Sequence, residues 1–295
     1  METSASLQLK DQNEFDGSSP KSDGFVAIKS TLSNFNNSSI KKSITAFLFF
    51  ITGMFILVAA WALISKLTNS ALPSPASTWT VFKEVIKNPM QNDPDLKGIG
   101  TKLFSSLGRV AIGFGLGSII AIPIGLLLGA SKTLMKIFNP IIQILRPVSP
   151  LAWFPLGLAI FQDSPKASIF MIFICCIWPT VINTSFGAST IPDDHKNVGK
   201  AFAFSKWTYI TKIMIPFSLP HIITGLRLSI GIAWMVIVAG EMLSGGSGLG
   251  YFVWEEGFNG GSIEKILVAI VIIGAVGLLL DKCFSAIESR FAYAK

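Results

Sequence analysis

The chain has 295 residues, 51% hydrophobic and 14% charged, with 24 Lys and Arg against 17 Asp and Glu, a net charge of +7 and a mean hydropathy of +0.58. Roughly a quarter of an ordinary soluble domain is charged, so this composition excludes a water-solvated globule, as well as collagen, coiled-coil and disordered classes. The basic balance fits a membrane surface better than nucleic acid.

Residues 1–42 differ from the rest. The first 40 hold nine Ser and four Asn among few apolar residues, which reads as a disordered cytoplasmic tail. No cleavable signal peptide fits, because the first apolar run starts beyond residue 40 and is long enough to stay in the bilayer.

A helix rising 1.5 Å per residue needs about 20 apolar residues to cross about 30 Å of hydrocarbon, and by that rule residues 43–291 form a transmembrane domain of six spans. The first is 43–65, where Ser43 to Ser65 is 23 residues without a charge. The second is 105–131, with Gly113 and Gly117, then Gly125 and Gly129, each forming a small-residue pair on one helix face. Such faces let backbones approach closely, which reads as packing between helices of the same chain, with an inter-subunit contact as the alternative. The third, 137–162, carries Arg146 and then Pro147, Pro150 and Pro155. Three prolines in nine residues remove backbone donors and clash with preceding turns, so this segment is expected to break. Broken backbone at membrane depth belongs in protein or beside a watery cavity. Arg146, about 13 Å in from the cytoplasmic side at 1.5 Å per residue, is expected to face the bundle interior or water.

The fourth span is 167–191, within the 26 uncharged residues from Ala167 to Pro192. The connection 192–216 that follows reads as two short helices. Pro192 suits a first helical position, with Asp193 and Asp194 in the first turn; Ser205 can cap a second helix whose Trp207, Ile210 and Met214 form an apolar stripe, and Pro216 is expected to end it. Phe202, Phe204 and Trp207 thus stand on a loop that meets water. Exposed apolar surface of that kind calls for a partner, the alternative being an interfacial amphipathic helix.

The fifth span, 217–243, draws on the run from Ile213 to Gly240, whose one charge, Arg227, either lines a path or snorkels to the interface. Arg109 and Glu241 both fall near outer span ends, where they can pair. Between the fifth and sixth spans, Trp254, Glu255 and Glu256 lie on an outer loop with an aromatic anchor. The sixth, 263–287, has only 15 uncharged residues from Ile266 to Leu280 and must borrow Ile263, Phe284 and Ile287 to cross. With the N-terminus inside, twelve Lys and Arg from Lys29 onward lie on cytoplasmic segments and six on outer ones, which favours both termini in the cytoplasm.

No metal site and no catalytic cluster is legible. His195 and His221 are 26 residues apart and read as structural; Cys175, Cys176 and Cys283 read as packing residues. There is no His-x-x-x-His, no paired intramembrane carboxylate and no serine elbow. A phosphate-cradling G-x-x-x-x-G-K-[S/T] loop is also missing, so any ATP-driven work by this chain requires a second protein. A secondary transporter or channel working alone is the competing class, although the two halves show no inverted pattern.

The 192–216 loop resembles the signature of type I binding-protein-dependent ABC importer membrane subunits: Glu-Ala-Ala, a Gly six residues after the Glu, then Ile-x-Leu-Pro. Here Asn197, Val198 and Gly199 stand on Glu-Ala-Ala, Ala203 on the Gly, and Ile213 to Pro216 on the terminal element. Val198, Gly199 and Lys200 are similar to the form found in the nitrate, sulfonate, taurine and bicarbonate branch. Arg146 to Leu156 resembles the R-P-x-x-P-L-A-W-x-P-L stretch of cyanobacterial nitrate/nitrite and bicarbonate permeases. The resemblance implies an all-α integral membrane protein with the six-helix MetI-like fold and cytoplasmic coupling helices, in a bacterial, cyanobacterial-type inner membrane.

As partners it implies the lipid bilayer, a second permease copy forming a homodimer, two ATP-binding subunits that hold ATP-Mg, and an external substrate-binding protein, with no nucleic acid and no cofactor in this chain. Val198, Gly199, Lys200, Ala201, Phe202, Ala203, Phe204, Trp207 and Pro216 are the expected coupling residues. Arg146, Ser149, Trp153 and Arg227 are the candidates for the translocation path, and Trp254, Glu255 and Glu256 for binding-protein docking. The expected cargo is nitrate or nitrite, with bicarbonate or a sulfonate such as taurine as alternatives.

Overall fold

Every regular element among the described residues is helical, as hydrocarbon demands of an open chain that must satisfy its own backbone. The computed structural model describes residues 23–68, 71–91, 98–259 and 261–291, with side chains described from residue 44 onward. The helices are α1 (Asp23–Leu67), α2 (Pro75–Lys87), α3 (Ile99–Ala130), α4 (Lys132–Leu145), α5 (Pro150–Phe161), α6 (Ser164–Ser189), α7 (Asp193–Ala201), α8 (Lys206–Tyr209), a π turn (Ile210–Met214), α9 (Ile215–Ser244), α10 (Leu249–Phe258) and α11 (Ile263–Phe291). Residues 1–64 and 65–295 form separate units.

In the first unit, residues 1–22 of the expected tail lie outside the described residues. Residues 23–42, also read as disordered, are helical: α1 starts at Asp23. Once an apolar run has nucleated a helix, each further residue adds one hydrogen bond, and neither proline nor glycine interrupts Phe25 to Thr52. From Ile44 on, the large apolar side chains are exposed, Phe49 and Phe55 among the most exposed, as a lipid-facing span requires.

In the second unit α6 is the central helix, packed along both α3 and α9. Met171, Ile172 and Cys176 of α6 and Ala233 and Ile237 of α9 are wholly buried in the shared core, which α5, α10 and α11 complete. The small-residue faces of α3 meet α6, as the intrachain reading expects. A Cβ at Gly113 would lie 2.8 Å from Ile172 and one at Gly125 2.6 Å from the Thr184 side chain. Gly125→Val should therefore force α3 and α6 apart and cost about 1–3 kcal/mol, the scale of an overpacked core. A thermal midpoint in detergent that does not fall would refute this.

Among the described residues five helices are long and apolar enough to cross a membrane singly, and the pair α4 and α5, bent by 95°, makes up to a sixth. The expected third span, 137–162, is therefore not one straight crossing. The break comes at Arg146 to Ser149; Pro150 starts α5, and Pro155 is accommodated inside it. At 12 residues α5 rises only about 18 Å, too short to span alone. Of the 14 residues of α4 only Ile142 is buried.

Pro216 does not end the second loop helix, contrary to expectation. Between α8 and α9 the backbone widens into the π turn, where Ile215 N–H donates to Ile210 O. That extra residue per turn absorbs the hydrogen bond that a proline cannot make, so Lys206 to Ser244 runs as 39 continuous helical residues. Pro192, expected at the first helical position, is instead the cap that precedes α7.

Candidate functional site

Three groups of residues bear on function. They lie at the 192–216 loop, at the opposite end of the bundle, and at the α4–α5 bend.

The loop is held by local hydrogen bonds. Ser205 Oγ accepts from Thr208 N–H at 3.1 Å, capping α8. Phe202 N–H donates to Val198 O, Ala203 N–H to Lys200 O and Phe204 N–H to Gly199 O, at 2.9–3.1 Å. Ala203 closes this turn with a φ of 48°, the left-handed region where a Cβ is strained and glycine is at ease, and it stands on the glycine of the family pattern. Ala203→Gly should keep or slightly raise stability, whereas Ala203→Val, with a β-branched side chain at positive φ, should disrupt the turn and lower ATP-coupled uptake severalfold. Equal uptake by the Val variant would contradict this reading.

The turn projects Phe202 and Trp207, each 73% exposed, with Phe204 beside them; the Phe202 and Phe204 ring centroids are 6.1 Å apart. Val198, Lys200, Ala201 and Pro216 are exposed, while Gly199 is buried against Tyr209. On α7, the hydrogen bond from Lys196 Nζ to Asp193 holds that carboxyl below its ordinary range. His195 and His221 pack on Phe217 and Phe186.

At the opposite end, Arg109 and Glu241 do pair, Nη1 to Oε1 at 2.7 Å. Glu241 is completely buried. Its Oε2 accepts from Ser106 Oγ at 2.8 Å and from Gly250 N–H at 3.1 Å. Arg109 also donates to Ser247 Oγ at 2.9 Å and to the Ser247 carbonyl. The buried carboxylate therefore gathers α3, α9 and the start of α10, and Gly248, at φ 142°, is wrapped against it.

Beyond it lies a cavity of about 1000 Å³ bordered by α2, α3 and α10. Lys102 Nζ meets Glu255 at 3.2 Å and Lys265 Nζ meets Glu256 at 3.0 Å along its wall. Trp254 stacks on Phe258 with centroids 4.0 Å apart.

At the bend, Arg146 and Ser149 are exposed and Trp153 is half-buried against the core. No side-chain hydrogen bond or ion pair reaches the Arg146 guanidinium among the described residues. Arg227 is placed differently. Its Nε and Nη2 make a fork on Asp281 at 2.8 and 3.1 Å, and Nη1 reaches Glu288 at 2.8 Å. Thr224 Oγ1 also donates to Glu288, so α9 is tied to α11. Sequence reasoning missed Asp281 and Glu288 as partners. They lie seven residues apart, two turns on one face, opposite Thr224 and Arg227, and that spacing was the available signal.

Residues 121–293 match the model of the family described as binding-protein-dependent transport system inner membrane component. The chain is 42% identical over 235 residues to the nitrate import permease protein NrtB of Synechocystis sp., covering 79% of this chain and 85% of the relative. It is 43% identical to NrtB of Synechococcus elongatus, covering 80% and 86%, and 41% identical to the bicarbonate transport system permease protein CmpB of Synechocystis sp., covering 82% and 88%. Among solved structures, an inward-facing MetNI methionine ABC transporter chain aligns at a TM-score of 0.57 and 17% identity, covering 66% of this chain and 96% of that one. An amino acid ABC transporter with histidines aligns at 0.55 and 14%, covering 65% and 93%. Both likenesses concern the fold.

Proposed function

The chain belongs to the binding-protein-dependent transport system inner-membrane component family, and from that premise we propose that it carries nitrate through the inner membrane. It is a multi-pass permease subunit of an ATP-driven importer for a small inorganic anion, and ATP is hydrolysed by separate subunits. An importer of this architecture implies a pair of permeases, a pair of ATP-binding subunits that use ATP-Mg, and an external binding protein. Our finer reading is a homodimer of this chain with both termini in the cytoplasm.

Support for the path comes from Arg146. Its unpaired guanidinium sits at a backbone break of the kind that belongs beside water, and an unpaired positive charge there attracts an anion. Ser149 and Trp153 follow it on the same bend. Arg227, by contrast, is neutralised by Asp281 and Glu288 and acts as a strut between α9 and α11. For energy input, ATP binding draws the two ATPase subunits together. Phe202, Phe204 and Trp207 move with them, and the continuous α8, π turn and α9 carry that movement into the bundle. Outside, Trp254 and the cavity rim with Glu255 and Glu256 receive the binding protein.

Nitrate is favoured over bicarbonate by the NrtB relatives, although the CmpB relative is nearly as similar. Purified complex with its binding protein should hydrolyse ATP faster when nitrate is added. Stimulation by bicarbonate alone would establish the second reading. In the same complex Arg146→Gln should lower uptake by about tenfold or more, the scale of a lost charge contact. Wild-type uptake would remove Arg146 from the path.

A further inference from the structure

Behind the exposed aromatics of the coupling loop lies a recess of about 490 Å³, walled by Ala130 at the end of α3, Gly199, Ala203, Phe204, Tyr209 and Met214. Its lining is apolar except at the rim, where Lys196, Lys200 and Lys206 stand. Lys196 is already paired with Asp193 at 3.0 Å. Lys200 and Lys206 are exposed and make no ion pair among the described residues. The loop thus carries a protruding knob, Phe202 and Trp207, and beside it a hole ringed by positive charge. Asn197, where the family pattern has Glu, leaves that ring without a nearby counter-charge from its own position.

We propose that this recess is a socket: the ATPase subunit inserts an apolar side chain into it, flanked by carboxylates that meet Lys200 and Lys206. The inference deepens the reading of the loop as the ATPase-docking element and rests on it. Two features identify the occupant. The recess is continuous with the knob, since Gly199, Ala203 and Phe204 belong to the turn that holds Phe202 in place, so whatever receives the knob also covers the hole. The unpaired ammonium groups then require an acidic rim on that same surface, because opposite charges across an interface set register and suppress wrong partners. The contact is therefore reciprocal, with a knob and a socket on each side, which fixes rotation as well as position of the coupling element.

The test uses the whole complex isolated from native membranes through a tag on this chain, with the ATPase subunit identified by its ATP hydrolysis. Lys200→Gln/Lys206→Gln should lower retention of the ATPase about tenfold at low salt, with the difference shrinking as salt rises. Ala130→Trp, which fills the recess from an exposed position and leaves both lysines, should lower retention at every salt concentration. In the wild type, carbodiimide treatment should join Lys200 or Lys206 to an Asp or Glu of the ATPase. If wild-type complex retains the ATPase and both variants retain it equally, the socket is overturned while the docking reading stands. Lysine variants that keep the ATPase but lose a co-purifying anionic phospholipid would likewise overturn it, assigning the recess to lipid. A wild-type chain that retains no ATPase overturns both.

Discussion

Glu241→Ala is expected to leave little folded permease. The substitution strips the largely buried Arg109 guanidinium, at the edge of the cavity, of its counter-ion and leaves Ser106 Oγ and Gly250 N–H without their acceptor. Breaking a buried pair from one side costs about 3–5 kcal/mol, a large share of the roughly 5–15 kcal/mol that holds a domain together. The thermal midpoint of detergent-solubilised protein should fall steeply. Replacing both charges, as Arg109→Met/Glu241→Leu, should recover part of the loss, because no unpaired charge then remains. A single Ala variant as stable as wild type would mean that the carboxylate does not hold α3, α9 and α10 together.

The second large effect is expected at the knob. Trp207→Ala and Phe202→Ala remove side chains that are 73% exposed, so the isolated permease should melt at the wild-type temperature. In the complex, buried aromatic anchors at an interface are worth about 2 kcal/mol or more each, or about thirtyfold in affinity. Each variant should lose the ATPase subunit, or hold it without stimulated hydrolysis. Undiminished binding and hydrolysis in Trp207→Ala would remove it from the coupling contact.

The sequence was most legible where one rule dominated. Apolar length located the crossing helices, glycine spacing gave the α3 face that meets α6, and the proline cluster announced the bend at Arg146. Two misreadings have different causes: one treated a local breaker as decisive, the other took polar composition for disorder. Pro216 was expected to stop a helix, but the π turn at Ile210–Met214 spreads the missing hydrogen bond over a wider ring. Residues 23–42 are polar, yet no glycine or proline halts the helix entering from Ile44. The pairing of Arg227 with Asp281 and Glu288 was not read because it joins positions 54 and 61 residues apart. Charges that seemed to shorten the last span serve instead to tie it to α9. Arg109 and Glu241, 132 residues apart, could be named as partners from their span ends, but their burial and the enclosing Ser106, Ser247 and Gly250 are tertiary facts.

The most direct test of the whole mechanism is uptake of labelled nitrate into proteoliposomes against its gradient, comparing this chain alone with the chain plus its ATPase subunits and binding protein. Accumulation should occur only in the full assembly and only with ATP-Mg. Uphill accumulation by the permease alone, driven by membrane potential, would contradict it.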